Sequence, residues 1–324
     1  MSRPYAAVVG ETVIGLLHPG EMGAAVGRSL VAAGHRVLWL PEGRSPATGA
    51  RAAAAGLAAA DGGLAALARR AAVIVSVCPP HAALQVARQV AGAGFRGLYL
   101  DANAISPGTA GQVAATVTAG GADYVDGAII GPPPEAAGQA RLYLSGPRAG
   151  EVAGLFAGTG FDARAVERDR QAAPAGREPD DGRGTGAASA VKAAYAAWTK
   201  GSAALVLAAR ALARAEGVED VLVAEWAASQ PGLADRWMRA AGSAMAKGWR
   251  WAGEMEEIAA AMAAAGLPDG FHRRRPRSTA ARPCWPGRTA PPAAARLSRG
   301  RGARPGRPRR GPGRPCPASS SRGP

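Results

Sequence analysis

Short apolar runs alternate with stretches of helical periodicity over the first half of the chain. Thr12–Leu17 is a continuous apolar run bounded by Gly and Pro, the pattern of a strand covered on both faces. From Glu21 to Ala33, the residues Met22, Val26, Leu30 and Val31 recur at helical spacing, and Gly34-His35 closes the segment as a helix stop. Val37–Leu40 predicts a second strand, followed by a turn at Pro41-Glu42-Gly43 and an alanine-rich helical stretch to about Arg70. Further strands are predicted at 73–77, 97–100, 124–125 and 142–144, separated mostly by helices such as 82–91 and 109–117. Strands alternating with helices predict an α/β fold with a doubly wound sheet, occupying residues 1–166.

Beyond Val166 the pattern changes. Residues 167–185 are polar, rich in Gly, Pro and charge, and without a large aliphatic side chain, so they are expected to be a linker or an insertion. Residues 186–272 contain no alternating run. Ala187–Glu216 has no internal proline, and Gly217, Pro231-Gly232 and Gly266-Leu-Pro268 divide the remainder, so an all-helical second domain is expected. Residues 273–324 hold a single large aliphatic residue, Leu297, among Arg, Pro, Gly, Ala and Ser. That tail is expected to be disordered, and its composition also resembles GC-rich coding sequence read in an unintended frame.

Composition narrows the function classes. The chain has 324 residues and a formal charge of +15. Of its 39 basic residues fifteen lie in 273–324, which has no Lys, Asp or Glu, so 24 basic residues face 24 acidic ones elsewhere. The body carries no surplus for a nucleic-acid surface, and the tail is expected to attract polyanions only non-specifically. No apolar run approaches a membrane span and Met1–Glu11 lacks a secretory signal, so a cytoplasmic protein is expected. Cys78, Cys284 and Cys316 have no metal-ligand spacing, and no metal is expected.

The first chemical candidate is Gly15-Leu-Leu-His18-Pro19-Gly20-Glu21-Met22-Gly23, between the first strand and the first helix. A dinucleotide's pyrophosphate binds where helix N-terminal N–H groups are exposed and glycines allow close approach, the Rossmann arrangement. Gly20 and Gly23 suit those roles, whereas His18 replaces the tight-turn glycine. The loop after the second strand, Glu42-Gly43-Arg44-Ser45, decides the cofactor: an acid there accepts from a ribose 2′-hydroxyl, and a base pairs with a 2′-phosphate. Arg44 and Ser45 favour NADP over NAD.

Over roughly residues 12–272 the chain resembles the beta-hydroxyacid dehydrogenases, the family that includes 3-hydroxyisobutyrate dehydrogenases and is similar to 6-phosphogluconate dehydrogenases and imine reductases. Ile14–Gly23 looks like the family's opening I-G-x-x-G-x-G-x-M-G, and Ala33–Val37 like its A-G-H-x-V. Val73–Pro79 resembles its strand ending in proline. Asp101–Pro107 resembles D-x-S-T-x-S-P, with Asn103 and Ala104 in place of Ser-Thr. Tyr124–Gly131 resembles D-A-P-V-S-G-G, with Ile130 for the substrate-binding Ser and Gly131 retained. Gly186–Lys192 looks like the G-x-G-x-x-x-K that carries the catalytic lysine, with Ala188 for the second Gly, and Ala196 stands where the family has Asn.

The resemblance implies an NAD(P)-dependent oxidoreductase that moves a hydride between nicotinamide and a small hydroxy or keto acid, with Lys192 as general acid/base. It implies cofactor contacts from His18, Pro19, Gly20, Glu21, Met22, Gly23, Arg44, Ser45, Cys78, Pro79 and Asn103. Substrate contacts fall to Asn103, Gly131, Lys192 and Tyr195. Each has a plainer alternative: a turn for His18 and Asn103, core packing for Tyr195 and Cys78, a surface lysine for Lys192. Lys200 is expected to be solvated. A homodimer is implied, its helical domains packed together through the apolar surface of Trp226, Trp237, Trp249, Trp251 and nearby methionines. Imine reduction on the same fold, and a catalytically impaired cofactor fold with a polyanion-binding tail, are the alternatives.

Overall fold

The computed structural model describes residues 11–169 and 185–273. The first ten residues, most of the expected insertion and the basic tail lie outside the described residues, as do the expectations for them. Eight strands, β1 (Val13–Leu17), β2 (Arg36–Trp39), β3 (Ala58–Ala59), β4 (Val73–Ser76), β5 (Leu98–Asp101), β6 (Asp123–Ile130), β7 (Ala140–Ser145) and β8 (Phe161–Ala165), form one sheet in the order β3-β2-β1-β4-β5-β6-β7-β8. Neighbours run parallel except β6 and β7, which pair antiparallel. The α/β expectation is met, with a mixed sheet.

The six strands expected from apolar runs are all present. β3 and β8 are additions at the two edges of the sheet. β3 is an exposed Ala-Ala pair and β8 reads FDARA, because an edge strand faces solvent on one side and needs no continuous apolar run. The alanine-rich stretch to Arg70 divides into α2 (Pro46–Ala54) and α3 (Gly63–Arg70) around β3. Gly62 and Gly63, both at positive φ, supply the turn into α3 that a helix could not continue through.

Helices cover both faces. On one side α1 (Glu21–Ala32), through Val26 and Leu30, and α6 (Ala149–Leu155), through Val152 and Leu155, pack with Ile14, Leu16 and Leu100. On the other, Leu67 of α3, Val86 and Val90 of α4 (Ala83–Gly92) and Val113 and Val117 of α5 (Pro107–Ala119) pack with Leu38, Ile74 and Tyr99. Buried on both faces, the inner strands are apolar at most positions, with Ser76, Asp101, Asp126 and Ser145 among the buried polar exceptions, and the apolar runs make them legible in the sequence.

Three further helices complete the described chain, α7 (Ala187–Ala215), α8 (Glu219–Ser229) and α9 (Leu233–Ala264). The start of α7 packs on β6, and α9 runs back along α7 towards α5. Among the described residues no helix is long and apolar enough to cross a membrane. Lys200 corrects the expectation of a solvated side chain. It pairs with Glu254 of α9 at 2.7 Å and lies over the Trp251 ring, because α9 returns beside it. Trp237 likewise receives Arg210 on its face. Met238 and Met245 are exposed.

Candidate functional site

The strand order reverses between β1 and β4, since β2 and β3 lie to one side of β1 and β5 to the other side of β4. Loops leaving neighbouring strands on opposite sides open a crevice at their carboxyl ends, where ligands of open α/β sheets bind. His18-Pro19-Gly20 leaves β1 there and Val77-Cys78-Pro79 leaves β4. The Val77 amide donates to the Leu17 carbonyl at 3.4 Å and holds the two loops side by side.

The β1 turn is built by its own backbone. Gly20 N–H donates to the His18 carbonyl at 2.7 Å, and the same oxygen would collide with any side chain at position 23. Gly23 is therefore required for the chain to turn into α1. A Cβ at Gly20, the N-cap of α1, would meet nothing within 4 Å. No side chain of the N-cap residue caps the first amides of α1, and uncapped helix N-terminal amides are the environment an oxyanion needs. Glu21 and Met22 open α1, and Met22 packs against the core beneath. Pro19 is buried, and its carbonyl accepts from Arg51 Nε of α2 at 3.4 Å, a brace that nothing in the local sequence announces.

His18 takes the tight-turn position in the left-handed region, φ 66°, the single non-glycine residue with positive φ among the described residues. Its ring is lowered to about 4, first by burial and then by the Arg44 guanidinium, so it is neutral at pH 7. Arg44 is exposed. Ser45 caps α2, accepting from the Thr48 amide at 3.3 Å, with Pro46 in the first turn. Arg44 and the α2 N-terminus therefore stand together where a 2′-phosphate is expected.

At the end of β4 and β5, Asn103 is almost wholly buried. Its carbonyl oxygen accepts from the Cys78 amide at 2.5 Å, its amide donates to Ser76 Oγ at 3.2 Å, and its own N–H donates to Asp101 Oδ1 at 2.9 Å. The side chain thus clamps the β4 loop. Cys78 is half-buried with its thiol pushed up to about 12, chiefly by burial, so it is not a thiolate. Pro79 begins the 3₁₀ turn Pro80–Ala82 that faces α9.

Lys192 is carried to the carboxyl end of the sheet by a buried joint. Asp126 of β6 accepts from Ser189 Oγ at 2.6 Å, Ser189 N–H at 2.9 Å and Ser145 Oγ at 3.0 Å. Ser145 also accepts from the Ala188 amide at 3.1 Å. One turn on, Lys192 Nζ donates to the Ile129 carbonyl at 2.7 Å. Burial lowers the lysine's pKa, Glu254 opposes this and Lys200 adds to it. Gly131, with φ 124°, has no room for a Cβ against the Gln139 carbonyl, so β7 alone explains the glycine. Ile130 is buried, Ala196 is buried, and Tyr195 is 47% exposed, so the core-packing alternative for Tyr195 does not hold.

Sequence reasoning missed the carboxylates of α9. Glu257 Oε2 accepts from the Ser106 amide at 2.6 Å and from Thr109 Oγ1 at 2.9 Å at the start of α5, and Glu254 lies near Lys192. Their partners are about 50 to 150 residues away, and an acidic residue on a helix shows no such partner in a sequence. No cluster of metal ligands occurs among the described residues.

Taken together, the strand order, the crevice at the β1–β4 switch point and the glycine turn into α1 define a Rossmann-like α/β fold. Comparison with known proteins agrees. Residues 213–277 match a domain of unknown function, DUF1932. A conserved protein of unknown function, described as structurally similar to 3-hydroxyacid dehydrogenases, is 26% identical, with 81% of this chain and 94% of that one covered and a TM-score of 0.56. 3-Hydroxyisobutyrate dehydrogenase from Salmonella typhimurium is 20% identical, with coverage of 81% and 92% and a TM-score of 0.57. An imine reductase variant from Myxococcus stipitatus in complex with NAD+ is 19% identical, with coverage of 81% and 90% and a TM-score of 0.50. No curated protein sequence matches. The fold is shared with hydroxyacid dehydrogenases and imine reductases, and among those solved structures an imine reductase variant holds NAD+ and a reductive aminase from Aspergillus terreus holds NADPH.

Proposed function

We propose that this chain is an NAD(P)-dependent oxidoreductase with Lys192 as its acid/base group, acting on a small hydroxy or keto acid. The observation that carries the reading is Lys192 Nζ, drawn down beside the Ile129 carbonyl at the ligand end of the sheet. Bound there, the dinucleotide would supply or take the hydride. Lys192 would take the hydroxyl proton in oxidation and return it to the carbonyl oxygen in reduction, helped by burial that brings the ammonium nearer to neutrality.

The Gly20 turn and the first amides of α1 would hold the pyrophosphate. Arg44, with the α2 N-terminus capped by Ser45, favours the 2′-phosphate of NADP over NAD. Asn103 holds the Cys78-Pro79 loop in place for the nicotinamide, and Tyr195 and Gly131 border the substrate. Imine reduction is the second reading. Buried Ile130, and an Asn103 amide whose oxygen and nitrogen each already hold a partner, leave few free polar groups for a substrate carboxylate, which favours a less polar substrate.

Titration of the full chain with NADPH and NADH, followed by nicotinamide fluorescence and repeated with Lys192→Ala, tests this. Tighter NADPH binding that survives the substitution is expected, with reduction of keto acids or imines falling about 10²–10⁴-fold. Binding of neither cofactor would overturn the reading.

A further inference from the structure

The helical region holds a cavity that the cofactor and substrate contacts leave unused. Where α9 runs back along α7, a hollow of about 440 Å³ lies between them. Small side chains open it. Thr199, Ser202 and Ala203 of α7, and Ala240 and Ser243 of α9, recur at spacings of three and four on the facing surfaces and leave the space between them unfilled. Buried Val206 and Ala240, with Leu233 and Trp251, give the cavity an apolar lining.

Charge in the lining is one-sided. Lys200, Arg236 and Arg239 line the cavity, and no carboxylate among the described residues does. Lys200 is already matched by Glu254 at 2.7 Å. Arg236 and Arg239 hold no hydrogen bond or ion pair among the described residues. Asp235 stands one turn before Arg239, the ordinary spacing for a helix ion pair, and does not take it. Arg210 of α7 shows the alternative, since Glu219 accepts from its guanidinium and the Trp237 ring lies 3.6 Å away.

We propose that this cavity is a second ligand site, taking a small organic anion, a carboxylate or phosphate on a flat apolar body. Guanidiniums three residues apart on one helix can fork onto a single oxyanion, and the Ser243 hydroxyl, one turn beyond Arg239, adds a donor. The apolar lining takes the body of the ligand, and the volume suits a small molecule. The site is separate from the cofactor crevice. Lys200 is about 12 Å along α7 from Lys192 by the helical rise, and no residue assigned to cofactor or substrate lines the cavity.

Titration of the full chain with naphthoate, naphthyl phosphate and uncharged naphthylmethanol, read by calorimetry, tests the site. At least one anion is expected to bind about tenfold tighter than the alcohol, and the better of the two identifies the acid group. Saturating NADPH should leave that advantage in place, and Arg236→Gln with Arg239→Gln should remove it. Both arginines are exposed, so the double variant is expected to melt with the wild type. Arg239→Gln alone, with one guanidinium left, should lose part of the advantage. Equal affinity for anions and alcohol, displacement by NADPH, anion binding that survives the double substitution, or no saturable binding overturns the proposal.

Discussion

Asp101 ends β5 with a fully buried carboxyl that is held up at about 7, first by burial, against the Asn103 amide that it accepts. Its folded-state pKa lies above the ordinary carboxylate value, so the folded protein holds a proton that the unfolded chain releases. Stability from this residue is therefore present at low pH and is lost as pH rises from about 4 to about 7. Asp101→Asn keeps the acceptor for Asn103 and removes the titration. Denaturation midpoints measured at pH 5 and pH 8 should draw together in the variant, and a difference as large as in the wild type would refute the assignment. At this scale the sequence shows a good deal. Gly20 and Gly23 follow from their place between strand and helix, and Lys192 from the resemblance. Asn103 has two readings in the sequence, a ligand contact or a local turn. The fold adds a clamp between two loops, visible only once Ser76 and Cys78 are brought beside it.

The joint between β6, β7 and α7 decides where the lysine stands. Asp126 collects three hydrogen bonds from Ser145 and Ser189, all out of water, and burial raises its pKa against them. Asp126→Ala would leave two hydroxyls and an amide without an acceptor, a loss on the order of 3 kcal/mol. Chemical denaturation should register it, while Glu151→Ala on the surface of α6, where Arg148 keeps Asp123 as a second partner, should cost under about 1 kcal/mol. Equal effects from the two substitutions would show that the joint is not structural. Elements of this kind are legible in part. Apolar runs mark the inner strands, but β3, β8 and the split between α2 and α3 carry little apolar signal, because edge positions are half wet. The contact of Glu257 with the start of α5 is invisible for another reason, since a helix cap supplied from about 150 residues away leaves no local pattern.

Across the whole molecule, α7 presents Trp198, Leu205 and Leu212, each more than half exposed and spaced by seven residues, so they share one helical face. A stripe of that size uncovered by the described residues fits the homodimer that the resemblance implies, formed through the helical region. Leu205→Glu with Leu212→Glu is expected to shift the full chain from dimer to monomer in sedimentation velocity, with NADPH binding retained if each protomer's sheet holds its own cofactor. A wild-type chain that sediments as a monomer would refute the dimer. The sequence by itself determined the alternation of strand and helix, the bare glycine turn and the neutral charge of the body, since these depend on spacing, backbone freedom and composition. Only the tertiary structure decided that His18 bears positive φ, that Lys200 is paired, that Asn103 is engaged and that Asp126 anchors Lys192. Each of those depends on which distant groups share a volume from which water has been removed, and that is set by the packing of the whole chain.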